Sequence, residues 1–227
     1  MAVWRFLQRI DYSCKKVQKR YYEADKSKKE EWLKKTVGEI KATVRRCRAI
    51  LYFEDESNIS LTPVMGRTWA PKGKKVYSYV TGNRGSLSAI SVISSDGRLI
   101  FRTFHGSKRF NSQDIIDFFA EMLSHHRRRH IVVVLDQASC HKSKKVKEYI
   151  VSQKRLHVYW LPPKSPEFNP DEQVWNHLKH TELKNHMETS TKGLKKLVNR
   201  KMRGLSKSQT KLMGIFKRCD FAHVYLP

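Results

Sequence analysis

The segment HIVVVL at 130–135 is apolar at every position after its first residue and runs straight into Asp136. A β run with no polar face must be covered on both sides. A helical stretch over 142–153 follows, with Val146, Tyr149 and Ile150 on one face, and then a second β run, LHVYWL at 156–161, which two prolines stop. Strand, helix, strand implies a parallel pair joined by a right-handed crossover. Upstream, AILYF at 49–53, SLSAISVI at 86–93 and LIFRTF at 99–104 read as three more strands suited to an antiparallel meander. Asp96-Gly97 joins the last two, a strong hairpin signal. Helical spacing appears over 111–128 through Ile115, Phe118, Phe119, Met122 and Leu123, and again from Asn169 to about 185. A last helix is expected over 192–203, with Leu194, Leu197, Val198 and Met202 inward. The expected fold is α/β: one mixed five-stranded sheet with helices on both faces. Internal repeats and low-complexity tracts are absent.

The chain has 227 residues, 39% of them hydrophobic, enough for one domain with a sizeable core. No apolar run approaches the ~20 residues that span a bilayer. The N-terminus is basic and broken by charges, without the apolar core of a signal peptide. The expected location is therefore the cytoplasm and nucleoid of a bacterium, or the nucleus of a eukaryote. Forty-six Lys and Arg against 21 Asp and Glu give a net charge of +25. Such a surface attracts polyanions, and nucleic acid is the expected partner. An anionic membrane is the rival partner, but no polybasic segment flanks a lipid anchor or a long apolar helix. Cys14, Cys47, Cys140 and Cys219 show neither CxxC nor zinc-finger spacing and read as reduced structural thiols.

Residues 1–48 read as a basic helical arm, with Trp4, Leu7 and Ile10 as a short apolar stripe. That is too little apolar surface for an independent domain. The arm leans on the core, on DNA or on a partner subunit, and residues 49–227 form the core with its C-terminal helices.

Three acids stand at the ends of these elements. Asp55 and Asp136 each follow an apolar β run, and Glu172 lies in the first turn of the helix after LPPKSPEFNP. Open α/β sheets build sites beyond the carboxyl ends of their strands. Carboxylate oxygens are hard ligands suited to Mg²⁺ or Mn²⁺. A pair of such ions about 4 Å apart activates an attacking oxygen and stabilises a leaving one. The same residues also admit capping chemistry: Asn169 as N-cap, Pro170 at N1 and Glu172 at N3 would complete a capping box. Asp136 could simply end a strand, and Asp55 could be a turn acid.

FEDES at 53–57, LDQASCHKSKKVKEY at 135–149 and LPPKSPEFNPDEQVWNHLK at 161–179 resemble the three motifs of the mariner superfamily of DDE transposases, in the branch of bacterial insertion-sequence transposases. GRTWAPKGKK at 66–75 resembles the Gly-Trp loop after the first strand. The resemblance covers about residues 49–185. It implies an RNase H-like fold in which Asp55, Asp136 and Glu172 are catalytic and bind two divalent metal ions. The 35 residues between Asp136 and Glu172 fall within the family's interval. Three positions depart from the pattern: Gln137 stands where Asn is frequent, Lys164 where an aromatic precedes Ser-Pro, and Asp171 where an apolar residue precedes the Glu. Asp171 is the alternative metal ligand, while Glu172 keeps the three-residue step to Trp175. Residues 1–48 resemble the linker that precedes the catalytic domain, without room for the helix-turn-helix modules of the family. The function implied is two-metal-ion DNA strand cleavage and strand transfer on transposon ends and target, with a homodimer on DNA. The alternatives are a truncated or domesticated DNA-binding protein without activity and an RNase H-like nuclease.

Other residues carry paired readings. His141 orients DNA or a metal-bound water, or else caps and packs. His177 and His180 suggest a zinc pair without a third ligand, and read better as a solvated face. Trp175 packs under Glu172. Trp69 stacks on a flipped base or packs on the sheet. Lys142, Lys144 and Lys145 hold phosphates or form a solvated helix start. A nucleophile built from Ser139 or Cys140 with His141 lacks any sign of an oriented triad.

Overall fold

The computed structural model describes residues 2–13 and 25–225. Five strands form one sheet: β1 (Ile50–Ser60), β2 (Ser86–Ser94), β3 (Leu99–Thr103), β4 (Ile131–Leu135) and β5 (Leu156–Trp160), in the order β3-β2-β1-β4-β5. β1–β2 and β2–β3 pair antiparallel, β1–β4 and β4–β5 parallel. The mixed sheet expected from the element order is the one observed. Gly97, at φ 78°, makes the left-handed turn between β2 and β3, where a side chain would be strained.

Helices cover both faces, and the period-2 alternation of the strands divides the core between them. Leu51, Phe53, Val132 and Val134 point to one face. They meet α3 (Val37–Cys47), α6 (Asp171–His177), α7 (Thr191–Ser206), α8 (Gln209–Phe216) and α9 (Ala222–Tyr225). Ile50, Tyr52, Ile131, Val133 and Leu135 point to the other, against α4 (Ser112–His125) and α5 (Lys144–Ser152). Phe118 and Phe119 of α4 are fully buried, each worth about 1.5–3 kcal/mol of transfer free energy. Asn111 and Asp114 close a reciprocal capping box at the start of α4.

The N-terminal region begins with α1 (Ala2–Arg9), whose side chains are exposed. α2 (Lys26–Glu31) runs through a π-helical turn, Trp32–Thr36, into α3. Trp32, Val37 and Ile40 are buried in the core, and the Trp32 indole N–H donates to Trp160 O at 2.7 Å. Residues 25–47 thus lean on the core. The stretch 14–24, including Cys14, lies outside the described residues.

Two expectations need correction. Asp55 does not end a strand. β1 continues to Ser60 because β2 pairs with it from Tyr52↔Ser94 to Ser60↔Ser86, so the acidic stretch keeps a full backbone ladder. The helix over 192–203 is not the last. α8 and α9 follow it, and Leu212, Ile215 and Phe216 are buried at helical spacing. Among the described residues, no helix is long and apolar enough to cross a membrane.

Candidate active site

Strand register brings the first two acids together. Phe53 pairs with Val134 across the parallel β1–β4 ladder. Asp55 is two residues further along β1, and Asp136 two residues on from Val134, just past the end of β4; continuing the register and the period-2 alternation brings both to the face that Phe53 and Val134 share. That face is the one α6 covers, and Glu172 is in the first turn of α6. Asp55, Asp136 and Glu172 therefore line one cleft of about 670 Å³, together with Pro162, Asn169, Trp175 and Lys179.

The charges press on one another. Burial pushes the Asp55 carboxyl well above the usual carboxylate range, and Asp171, Glu56, Glu172 and Asp136 push it the same way. Burial raises Glu172 as well, Glu167 adds to the rise, and Lys179 opposes it. Lys179 is half-buried beside Asp55 and Glu172, yet no described ion pair joins it to either. Asp136 is the exposed member. Its partial burial works upward, but hydrogen bonds from His141 and from the Ala138 N–H hold it below the ordinary value. Hard oxygen donors around a cleft with an excess of negative charge suit a divalent cation of the Mg²⁺ or Mn²⁺ type.

The opposite alternation builds a second acidic layer. Glu54 and Glu56 point away from Asp55 and meet His141, which is fully buried. His141 Nδ1 lies 2.9 Å from Asp136 Oδ1, and Nε2 lies 3.1 Å from Glu56 Oε1 and 3.5 Å from Glu54 Oε2. Burial alone would lower this histidine, but Glu54, Asp136 and Glu56 together push it up to about 12. Its ring is braced between the three acids. Glu54 is itself raised by burial and by Glu56. Sequence reading singled out His141 but not Glu54 and Glu56; the available signal was alternation about Asp55 within FEDES.

The alternative acid goes elsewhere. Asp171 is fully buried, accepts from Ser91 Oγ at 2.6 Å and does not line the cleft. Burial raises its carboxyl well above its normal value. The capping box open to Asn169 and Glu172 is not formed: Pro170 holds the N-cap position of α6, with no side-chain cap. Asn169 Nδ2 instead donates to Glu54 O at 2.8 Å, and its Oδ1 accepts from the Asp171 N–H at 3.1 Å. The Asn-Pro turn thereby clips α6 to the acidic strand.

The remaining candidates divide. Gln137 ties the ends of β4 and β5 by donating to Leu161 O at 2.8 Å, and Lys142 donates to Gln137 Oε1 at 2.6 Å. Trp175 is buried beside the cleft, while Trp69 is fully exposed and does not pack on the sheet. His177 is not on a solvated face: it is buried 3.2 Å from Glu182, and only His180 is exposed. The π-helical turn Leu178–Glu182 brings Glu182 back under His177. Burial raises the Cys140 thiol, whose Sγ lies 4.0 Å from Glu56 Oε1, a poor setting for a nucleophile.

Comparison with known proteins gives the family and the fold. Residues 50–195 match the family model described as DDE superfamily endonuclease. The insertion element IS630 uncharacterized 39 kDa protein of Shigella sonnei is 26% identical over 158 residues, 69% of this chain and 45% of that protein. Uncharacterized protein y4pE/y4sA of Sinorhizobium fredii is 38% identical over 58 residues, 26% of this chain and 40% of that protein. The chain spans less than half the length of these curated relatives. The Mos1 mariner paired end complex with Mn superposes with a TM-score of 0.67 at 16% identity, covering 100% of this chain and 71% of that one. The catalytic domain of Mos1 mariner transposase superposes at 0.55 and 13% identity, covering 93% and 100%. The α/β fold is RNase H-like.

Proposed function

On the premise that this chain belongs to the DDE superfamily endonucleases, as a mariner/IS630-type DDE transposase domain, we propose that its acidic cleft cuts DNA and transfers the cut strand. Asp55 and Asp136 would hold Mg²⁺ or Mn²⁺ from the sheet, and Glu172 would hold it from α6. Two ions, when bound, supply Lewis acidity and neutralise the charge that develops on the phosphodiester. The observation that carries this reading is the shared cleft: Asp55 of β1, Asp136 just past the end of the parallel β4 and Glu172 of α6 line it together.

The chain's own groups divide the remaining work. His141 bonds Asp136 and fixes the direction of its carboxylate. Asn169 fixes where α6 begins and so where Glu172 projects. Lys179, at the same cleft, is placed to meet a DNA phosphate. In the reaction, water attacks a phosphodiester at a transposon end, and the freed 3′-hydroxyl then attacks target DNA, by family analogy at TA steps. The net charge of +25 supports a DNA partner. Solved neighbours described as paired end and strand transfer complexes support a homodimer that pairs two ends. The corresponding locations are the bacterial nucleoid or a eukaryotic nucleus.

Asp136→Asn tests the assignment. With the fold verified by circular dichroism, the variant is expected to lose Mn²⁺-dependent nicking of DNA and joining of pre-cleaved ends. Unchanged cleavage would overturn it, and preferential cutting of an RNA competitor would reassign the site to an RNase H-like nuclease.

A further inference from the structure

At the far end of the sheet from the acidic cleft, a thiol and two imidazoles converge from three elements. Cys47 is the last residue of α3, His130 immediately precedes β4, and His157 is the second residue of β5. Their ligand atoms, Sγ and one ring nitrogen each, all lie within 4.8 Å of one another. His130 Nδ1 and His157 Nε2 are 3.1 Å apart. Two nitrogens bound at about 2.0–2.1 Å to a tetrahedral zinc ion sit roughly 3.3 Å from each other, so the pair is already spaced for shared coordination. Cys47 is a free thiol, and all three residues are half-buried, which leaves solvent a route in.

We propose that Cys47, His130 and His157 form a zinc site, with a water molecule completing the tetrahedron. The donor set is one sulfur and two imidazole nitrogens, which favours Zn²⁺ over the hard cations suited to the carboxylate cleft. The two sites lie at opposite ends of β4: His130 enters the strand and Asp136 leaves it. At ~3.3 Å per residue the extended backbone holds them roughly 20 Å apart. Binding releases the Cys47 proton to solvent and leaves a thiolate. That thiolate offsets Arg46, whose charge acts on His157. The site ties the end of α3 to β4 and β5, and α3 leads straight into β1 through the left-handed Arg48, at φ 49°. Spacing along the sequence could not reveal the cluster, because each ligand comes from a different element and the fold alone assembles them.

The full chain titrated with Co²⁺ in excess Mg²⁺ tests the proposal. One equivalent is expected to bind with a thiolate-to-cobalt charge-transfer absorption that Zn²⁺ abolishes by displacement. C47S removes the band, and H157A weakens binding at least about tenfold. C140S leaves the band intact; this control separates the site from Glu56, Cys140 and His141, which also come together. In the unmodified chain, Zn²⁺ protects Cys47 from iodoacetamide, mapped by mass spectrometry, so the test survives a variant that fails to fold. The absence of a band, a band that survives C47S, or alkylation of Cys47 unaffected by Zn²⁺ would each overturn the proposal.

Discussion

His141 donates from Nδ1 to Asp136 Oδ1 at 2.9 Å, from a fully buried position behind the cleft. Asp136 is the most exposed of the three acids, and this bond and the one from the Ala138 N–H restrain it. Removing the imidazole leaves the carboxylate held only by the Ala138 N–H and leaves buried Glu54 and half-buried Glu56 without their histidine partner. H141A is expected to lower Mn²⁺-dependent cleavage by about 10–100-fold, the usual cost of losing a ligand's supporting partner. The check is the cleavage rate as a function of Mn²⁺ concentration: a shift in the metal dependence supports a positioning role, and an unchanged curve rules it out.

Adjacent acids Asp171 and Glu172 should behave oppositely. Asp171 is fully buried in the core and accepts from Ser91, whereas Glu172 lines the cleft. D171N keeps the hydrogen bond and is expected to retain cleavage within about threefold, with less than ~1.5 kcal/mol lost in stability. E172Q is expected to lose at least about a hundredfold in cleavage. Parallel single-turnover assays on one DNA substrate decide between them.

The sheet was legible because its chemistry is local: HIVVVL, the Asp-Gly hairpin and the strand–helix–strand spacing each dictate a piece of backbone. The candidate acids were legible too, through their places in the three motifs. The second layer was not. Alternation within FEDES sets Glu54 and Glu56 on the face opposite Asp55, but their meeting with His141 depends on how β1 and β4 pair, which no local pattern encodes. Asp171 and Glu172 could not be separated in sequence either, because the Asn-Pro turn decides which of the two faces the cleft. α8 escaped notice because its stripe of Leu212, Ile215 and Phe216 is short and stands in a basic stretch.

Residues 25–47 contribute to stability through Trp32. Its ring is buried against Phe168, with centroids 5.4 Å apart, and its N–H reaches Trp160 O. W32A is expected to cost about 3–5 kcal/mol. Urea unfolding would show this as a lower midpoint at unchanged slope; a loss below ~1 kcal/mol would mean that the helices before β1 are not part of the cooperative core.

Acid stability should depend on Glu182. Hydrogen bonds from Lys211 and Lys201 hold it at about 2 against the opposing effect of burial. A depressed carboxyl contributes stability above its unfolded value, near 4.3, and loses it as pH falls from there towards 2. Both lysines are more than a third exposed or close to it, so screening reduces the contribution to about 1–2 kcal/mol. E182Q is expected to narrow the stability difference between pH 6 and pH 3 by that amount in urea titrations at the two pH values. An unaltered difference would show that the cluster carries no net stability.

The most direct measurement is anomalous diffraction from crystals soaked in Mn²⁺. The account predicts manganese density in the cleft, bridging Asp55 and Asp136 with Glu172 among its ligands. A cleft filled by the Lys179 ammonium, with the three carboxylates turned apart and no manganese between them, would contradict it.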